Sequence, residues 1–163
     1  MSPRSSLSLQ AIQCDNGREF DNHALQNLSA HHGIQLRFSC PYTSPQNGKA
    51  ERIIRTVNDI KRTLLFQASM PPNFWVEALH TATYLLNRLP TKALAAPCPF
   101  STLFSKPPDY TLLRTFGCLC YPNLTVTMPH KLSHRSAACV FLGYPSNHRG
   151  YRCMDIESRR III

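Results

Sequence analysis

The chain has 163 residues, of which 43% are hydrophobic, and this proportion allows a buried core and argues against wholesale disorder. It carries 18 basic and 9 acidic residues, a net charge of +9 that favours an anionic partner, nucleic acid first and a membrane surface second. No stretch approaches the roughly 18 consecutive apolar residues of a membrane-spanning helix, and the amino end lacks the apolar run of a signal peptide. Basic side chains that merely solvate the surface would give the same charge.

The cysteines indicate a reduced, intracellular chain. There are seven of them, an odd number, with no recognisable secretory segment. We therefore expect most of them to act as small buried hydrophobic residues. Cys118 and Cys120 form a tight pair in a run typical of a strand, where alternate residues share a face. No matching Cys or His pair has zinc-ligand spacing, which disfavours a metal role for them.

The amino-terminal part predicts a strand, a helix and a second strand. Residues 8–13 are a plausible strand, and Asp15 lies at or just past its carboxyl end, before an Asn-Gly turn. Asp21 is a suitable N-cap for the helix, and Gly33 follows its carboxyl end. Residues 34–39 then alternate apolar and polar side chains, which is typical of a strand.

A loop and several helices come next. Residues 41–48 contain two prolines, an asparagine and a glycine, and are predicted to be loop. From Lys49 the apolar residues recur with the period of a helix. The resulting stripe consists of Ile53, Val57, Ile60 and Leu64. Two prolines separate this helix from a second one over residues 73–88, and a short helix is possible over residues 100–105.

After two further prolines the pattern changes to short β-type runs with turn residues between them. The runs are residues 115–121, 138–144, 151–154 and 161–163. They predict a small all-β unit. The expected domains are therefore residues 1–110 and residues 111–163.

Two acidic residues are placed for metal chemistry. Asp15 follows the first strand, Glu51 lies near the start of the long helix, and 35 residues separate them. Cutting and joining phosphodiesters needs an activated oxygen nucleophile and a stabilised leaving oxygen, which divalent ions held by carboxylates provide. Mg²⁺ uses one or two carboxylates plus water and phosphate, so two residues can suffice. On spacing alone the indication is weak, because nine acidic residues offer many pairs.

Several short sequence motifs are more specific. Residues 15–20 read DNGREF, and residues 39–52 read SCPYTSPQNGKAER. Others follow in order: FWVEA at 74–78, YLLNRLP at 84–90, LRTFGCLCY at 113–121, CVFLGY at 139–144 and GYRC at 150–153. Together they resemble the integrase of Copia-type (Pseudoviridae) long-terminal-repeat retrotransposons over nearly the whole chain after residue 8.

The resemblance implies an α/β fold, with a ribonuclease-H-like core of the retroviral integrase superfamily followed by a small Src-homology-3-like β-barrel. That family trims the 3′ ends of element DNA and joins them to target DNA, using an Asp, Asp-35-Glu triad with Mg²⁺ or Mn²⁺. Asp15 matches the second Asp and Glu51 the Glu, which makes both expected catalytic and metal-binding residues. The expected partners are DNA and further copies of the chain, in the nucleus, with no membrane and no small-molecule substrate.

Six residues near Glu51 are candidates for DNA contact. They are Gln46, Asn47, Lys49, Arg52, Arg55 and Arg62. The first three lie in or beside the predicted loop, and the arginines fall at i, i+3 and i+10 on the side of the helix that carries Glu51. The alternative is an ordinary loop and a solvated helix face.

Two other groups of residues have a clear default interpretation. Phe74, Trp75 and Tyr84 are expected in the core rather than as base-stacking platforms. From residue 106 onward, eight basic residues accompany three acidic ones. This excess suits a β unit that grips DNA without reading its sequence, although the unit could equally serve assembly.

The chain departs from the family pattern in one respect. The family's first catalytic Asp lies on a strand well upstream, and none of the 14 residues before Asp15 is acidic. We therefore expect a truncated core whose first strand has an unpaired edge, and a chain that is inactive by itself. The alternatives are a non-catalytic nucleic-acid-binding remnant that keeps only the basic surface, and a relic of a defective element without function.

Overall fold

The computed structural model describes five ranges of the chain. They are residues 9–40, 47–91, 97–124, 135–145 and 150–163. By their contacts the residues divide into two compact units, Met1–Thr56 and Val57–Ile163. This division concerns packing, and the domain boundary near residue 110 stays a prediction.

The first unit contains a parallel strand pair connected through a helix. β1 (Ala11–Cys14) pairs with β2 (Gln35–Phe38), and α1 (His23–His31) connects them. A parallel pair requires such a crossover, and the strand and helix predictions for this region are confirmed within a few residues. In the described part of the unit, β1 pairs with β2. The unpaired edge expected from the sequence stays a prediction.

The amino end of α1 differs from the prediction. Asn22 is the N-cap, and its side-chain oxygen accepts a hydrogen bond from the Leu25 N–H at 2.9 Å. Asp21 was the wrong choice because it still belongs to the preceding turn, where its N–H donates to the Gly17 carbonyl at 3.0 Å. Gly33 follows the helix with φ +66°, as predicted for a glycine at this position.

The long helix α2 (Gly48–Gln67) begins one residue before the predicted start, so Gly48 belongs to the helix. Residues 41–46 of the predicted loop lie outside the described residues. The expected apolar stripe is only partly covered: no residue of α2 is buried, and Ile53 is 55% exposed. None of the described helices combines the length and the apolarity that crossing a membrane requires.

The second unit contains the predicted shorter helices. α3 (Trp75–Leu86) follows a short 3-10 turn, and α4 (Pro99–Phe104) follows it along the chain. The inner face of α3 consists of three small buried residues, namely Ala78, Thr81 and Ala82. Small side chains allow a helix to approach a sheet closely, and α3 packs on the strand that comes second in the β unit.

That unit is an antiparallel sheet of four strands in chain order. The strands are β3 (Leu119–Cys120), β4 (Cys139–Gly143), β5 (Arg152–Asp155) and β6 (Ile161–Ile162). β3 is shorter than the predicted run over 115–121, because Gly117 adopts φ +77° and ends the extended conformation. β3 and β6 are the outer strands in the described part of this sheet.

The second unit has buried residues in its sheet and on α3. On one face of the sheet, Cys139, Phe141 and Cys153 form a buried cluster. Thr81 of α3 donates its hydroxyl hydrogen to the Leu142 carbonyl at 3.3 Å, and both residues are buried. This hydrogen bond satisfies a hydroxyl that would be costly to bury alone.

The aromatic residues of α3 have different environments. Tyr84 stacks on Tyr144 with ring centres 3.8 Å apart, and the Arg88 guanidinium lies 3.3 Å from the Tyr84 ring centre. The core prediction for Tyr84 is therefore confirmed, and Phe74 is partly buried. The prediction for Trp75 is wrong, since 52% of the residue is exposed. Trp75 is the first residue of α3 and lies one turn before its buried face.

Candidate metal and nucleic-acid site

Asp15 lies in a turn at the carboxyl end of β1. Its Oδ1 accepts a hydrogen bond from the Gly17 N–H at 3.1 Å, which fixes the turn, and the residue is exposed. The neighbouring Asn16 donates its side-chain N–H to the Ser39 carbonyl at 3.1 Å, just past the end of β2. The turn is therefore held at the carboxyl edge of the parallel pair, where α/β proteins commonly bind ligands.

Oδ2 of Asp15 makes no hydrogen bond within the described residues, so one carboxylate oxygen remains available to a ligand. The preceding Cys14 is buried, and its burial, with a smaller effect of the carboxylates of Asp15 and Asp21, raises the pKa of its thiol. Cys14 is therefore a neutral core residue and not a thiolate ligand. Metal chemistry at this edge depends on oxygen donors.

Glu51 lies in the first turn of α2, within the same compact unit as Asp15, and it is exposed. A carboxylate in the first helical turn is favoured by the partial positive charge of the free N–H groups. The same partial charge favours an approaching phosphate. The helix start thus suits both the acidic side chain and an anionic substrate.

Four of the other predicted contact residues lie at or near the start of α2. Lys49, Arg52 and Arg55 are exposed in the first unit, and Asn47 is partly buried just before the helix. Arg62 is exposed further along α2, in the residues assigned to the second unit. The remaining candidate, Gln46, lies outside the described residues.

The two carboxylates fit Mg²⁺ or Mn²⁺ in chemistry, since both are exposed oxygen donors, and either ion accepts two carboxylates completed by water and phosphate oxygens. Two carboxylates are too few to hold a metal by protein ligands alone. The described ranges contain no group of three or more His, Cys, Asp or Glu side chains placed to hold a metal. An ion here would depend on further oxygen ligands.

Sequence reasoning missed the role of Asn16, which it treated only as a turn residue. The hydrogen bond to Ser39 joins the ends of two strands that are 23 residues apart in sequence. The available signal was the position of an amide side chain directly after the candidate ligand. A tether of this kind positions the carboxylate without contacting the metal.

Comparisons with known proteins identify the carboxyl-terminal unit and the relatives of the whole chain. Residues 118–163 match the retroviral polymerase SH3-like domain. The chain is 43% identical over 160 residues to the retrovirus-related Pol polyprotein from transposon RE1 of Arabidopsis thaliana, covering 98% of this chain and 11% of that protein. It is 34% identical over 154 residues to that from transposon TNT 1-94 of Nicotiana tabacum, covering 94% of this chain and 12% of that protein.

Two solved structures are similar to part of the chain. One is the catalytic core domain of BIV integrase, with a TM-score of 0.45 and 23% identity over 61% of this chain and 62% of that chain. The other is the simian T-cell lymphotropic virus intasome in complex with PP2A regulatory subunit B56 gamma. It gives a TM-score of 0.49 and 15% identity over 90% of this chain and 55% of that chain.

The sequence relatives define the class to which the chain is similar: they are retrovirus-related Pol polyproteins of transposons, and the chain spans about a tenth of their length. More particularly, its homologues are the Copia-type Pol polyproteins of plant elements. The predicted mixture of helices and strands followed by an SH3-like β unit is confirmed. The ribonuclease-H-like assignment of the amino-terminal part stays a prediction.

Proposed function

We propose that this chain is a segment of a retrotransposon integrase, which serves to join element DNA to target DNA. The proposal is carried by one observation: Asp15 and Glu51 match the family's carboxylates and are both exposed within one compact unit, Met1–Thr56. The relatives' status as transposon Pol polyproteins supports it. Placement in the nucleus and assembly with further copies follow as part of the same proposal.

In this proposal Asp15 and Glu51 would hold Mg²⁺ or Mn²⁺, which activates the attacking oxygen and stabilises the leaving one. Asn16 keeps the Asp15 turn in place through its hydrogen bond to Ser39. The carboxylates need a tether of this kind, because small displacements of a ligand weaken metal binding.

The exposed basic side chains at the start of α2 would neutralise DNA phosphates. Lys49, Arg52 and Arg55 lie within seven residues on one helix, beside free helical N–H groups. Such contacts position the duplex but carry no sequence information. We therefore expect salt-dependent DNA binding with little sequence preference.

The family mechanism calls for three carboxylates, and residues 1–163 supply two at matching positions. We therefore expect no strand transfer by this chain alone. The check is a strand-transfer assay with Mn²⁺ and labelled duplex ends, alongside an Asp15→Asn variant. Joined product that disappears in the variant would contradict the proposed inactivity.

DNA binding is tested by fluorescence anisotropy of a labelled duplex at several salt concentrations. Each phosphate contact contributes about −0.9 to the slope of log K against log salt, so Arg55→Ala should make the slope shallower by about 0.9. Arg37→Ala is a charge-matched control, because its guanidinium is bonded to Gln35 on β2 at 2.9 and 3.1 Å. Binding that ignores salt, or an equal loss in both variants, would contradict the proposed contact.

The same measurements separate the proposal from the non-catalytic alternative. A remnant that only binds DNA keeps the salt dependence, and its affinity does not respond to Mg²⁺ or to Glu51→Gln. An integrase segment binds DNA ends more tightly in Mg²⁺ than in EDTA, and Glu51→Gln removes that difference.

A further inference from the structure

A pocket lies where α3 meets β4 and β5 of the second unit. Its volume is about 140 Å³, and four of its residues form apolar walls, namely Val76, Leu142, Tyr144 and Pro145. An engineered cavity of roughly 150 Å³ holds a benzene molecule, so the pocket has room for a small organic group. The polar side chains that line it are Glu77 and His80 of α3 and Arg152 of β5.

One wall of the pocket is fixed by contacts with the rest of the unit. The Tyr144 ring stacks on Tyr84, and its hydroxyl oxygen accepts a hydrogen bond from the Arg114 N–H at 2.8 Å. Leu142 is buried, and its carbonyl is bonded to the Thr81 hydroxyl. Both residues therefore present apolar surface to the pocket without rearrangement, and a site formed in advance loses less freedom on binding.

The strand register directs Arg152 towards this pocket. Arg152 on β5 lies opposite Gly143 on β4. A Cβ added at Gly143 would meet Thr81 of α3, so this side of the sheet faces the helix. Residues opposite each other on neighbouring strands share a face of the sheet, and the Arg152 side chain accordingly reaches Glu77 of α3.

The Arg152 guanidinium is only loosely paired. Its Nη2 lies 3.7 Å from Glu77 Oε1, whereas a charge-assisted hydrogen bond spans roughly 2.7–2.9 Å. Among the described residues, the Arg152 Nε is buried and has no hydrogen-bond partner. A guanidinium carries several N–H donors, so most of the hydrogen-bonding capacity of this group is unused. An acceptor that draws the guanidinium into a paired geometry would relieve the cost of the unsatisfied donor.

The charge of the pocket favours an anion over a cation. Glu77 and Arg152 offset each other, and His80 can only add positive charge. The chain carries a net charge of +9, which raises the local concentration of anions. Among anions, a carboxylate matches a guanidinium closely, because two parallel N–H···O bonds can form.

We propose that this pocket binds a small organic carboxylate with an apolar body about the size of one ring, and that the carboxylate replaces Glu77 as the partner of Arg152. Glu77 is then an internal competitor for the site. It lies in the first turn of α3, where the helix dipole still stabilises its charge after displacement. The proposal does not rest on the integrase function, because no residue of the pocket is a candidate metal ligand or DNA contact.

Binding is measured on the 163-residue chain by NMR titration with sodium benzoate, with sodium chloride holding the ionic strength constant. Benzamide and benzylamine are the matched probes, because they keep the ring and replace the carboxylate by a neutral amide or an ammonium group. We expect benzoate to shift the amide signals of Glu77, Leu142 and Arg152 and to saturate in the millimolar range. Benzamide should bind about tenfold more weakly, benzylamine more weakly still, and inorganic phosphate more weakly than benzoate.

Two substitutions separate the proposed pairing from a general charge effect. Arg152→Gln should weaken benzoate binding about tenfold, whereas Arg160→Gln removes the same charge from an exposed position and should leave it nearly unchanged. Glu77→Gln removes the competitor and should tighten benzoate binding about threefold. Its control is Glu157→Gln, which removes an exposed acidic charge from the same unit and should have little effect.

Other results would overturn the proposal. They are benzoate shifts located away from the pocket, equal binding of benzoate and benzamide, phosphate binding as tight as that of benzoate, or benzoate binding that Glu77→Gln weakens or leaves unchanged. If Arg152→Gln does not fold, the probe series on the unsubstituted chain together with Glu77→Gln still decides.

Discussion

A close contact between α3 and the sheet provides a test of the packing. Gly143 ends β4 with φ +129°, and a Cβ added there would collide with the Thr81 hydroxyl oxygen. That hydroxyl is buried and bonded to the Leu142 carbonyl at 3.3 Å, so it cannot move away without losing its partner. Replacing Gly143 by alanine therefore combines backbone strain with overpacking.

The expected loss is the sum of these two effects. A non-glycine residue at this backbone conformation costs about 1–3 kcal/mol, and overpacking a well-filled core costs about 1–3 kcal/mol more. We expect Gly143→Ala to lower the free energy of unfolding by about 4 kcal/mol. Gly150→Ala is the control, because Gly150 has φ +143° but nothing within 4 Å of the added Cβ, so it should cost only the strain.

Urea unfolding followed by the fluorescence of Trp75, the single tryptophan, measures both losses. The variant Thr81→Ala removes the colliding oxygen, so the double variant Gly143→Ala/Thr81→Ala should recover about half of the Gly143→Ala loss. Equal losses for the two glycine variants, or strictly additive effects of Gly143→Ala and Thr81→Ala, would refute this account of the packing.

Three further predictions concern the aromatic stack, the buried thiol and the turn. Tyr84→Ala removes a ring stacked at 3.8 Å on Tyr144 and should lower the free energy of unfolding by about 3 kcal/mol, measured in urea; a loss below about 1 kcal/mol would contradict the stack. Burial raises the pKa of the Cys153 thiol to about 12 from an ordinary 9.0. The buried neutral thiol therefore contributes its full stabilisation of the folded state below pH 9, and this contribution is lost as the pH rises towards 12. The urea midpoint should therefore fall above pH 9 and fall less in Cys153→Ala, whereas identical pH profiles would exclude the thiol as the cause. Asn16→Ala removes the hydrogen bond at 3.1 Å to the end of β2 and should cost about 1 kcal/mol, with faster hydrogen exchange in the 15–17 turn; unchanged exchange there would show that the tether is unimportant.

Local signals in the sequence predicted most of the elements. Gly33 marked the end of α1, and the 3.6-residue period marked α2 and α3 within one or two residues. The N-cap was misassigned because Asp21 and Asn22 are both good caps, and a backbone turn from Gly17 decided between them. Which residue becomes the N-cap depends on where the preceding turn ends, and the amino-acid composition does not specify that position.

The sequence patterns did not predict contacts between residues that are far apart in the chain. Nothing local indicates that Gly143 approaches Thr81, or that Trp75 lies beyond the buried face of its helix. The cysteine predictions illustrate the same limit: alternation placed Cys118 and Cys120 on one face, but the contact of Cys120 with Cys153 needed the strand order.

The sequence indicated the residues of the candidate site but not the hydrogen bond that positions one of them. Asp15 and Glu51 were identified by position and resemblance, and the structure places both in exposed positions within one unit. The tether from Asn16 to Ser39 was not visible, because it joins two strand ends through side-chain geometry. Whether the two carboxylates share an ion stays a prediction.

Titration of the chain with Mn²⁺, followed by paramagnetic broadening of amide NMR signals, tests that central claim most directly. We predict that the signals of Asp15, Gly17 and Glu51 broaden together at one Mn²⁺ concentration, and that Asp15→Asn and Glu51→Gln each weaken the effect at both sites. Broadening at one of the two positions alone, or broadening that neither substitution changes, would contradict a shared metal.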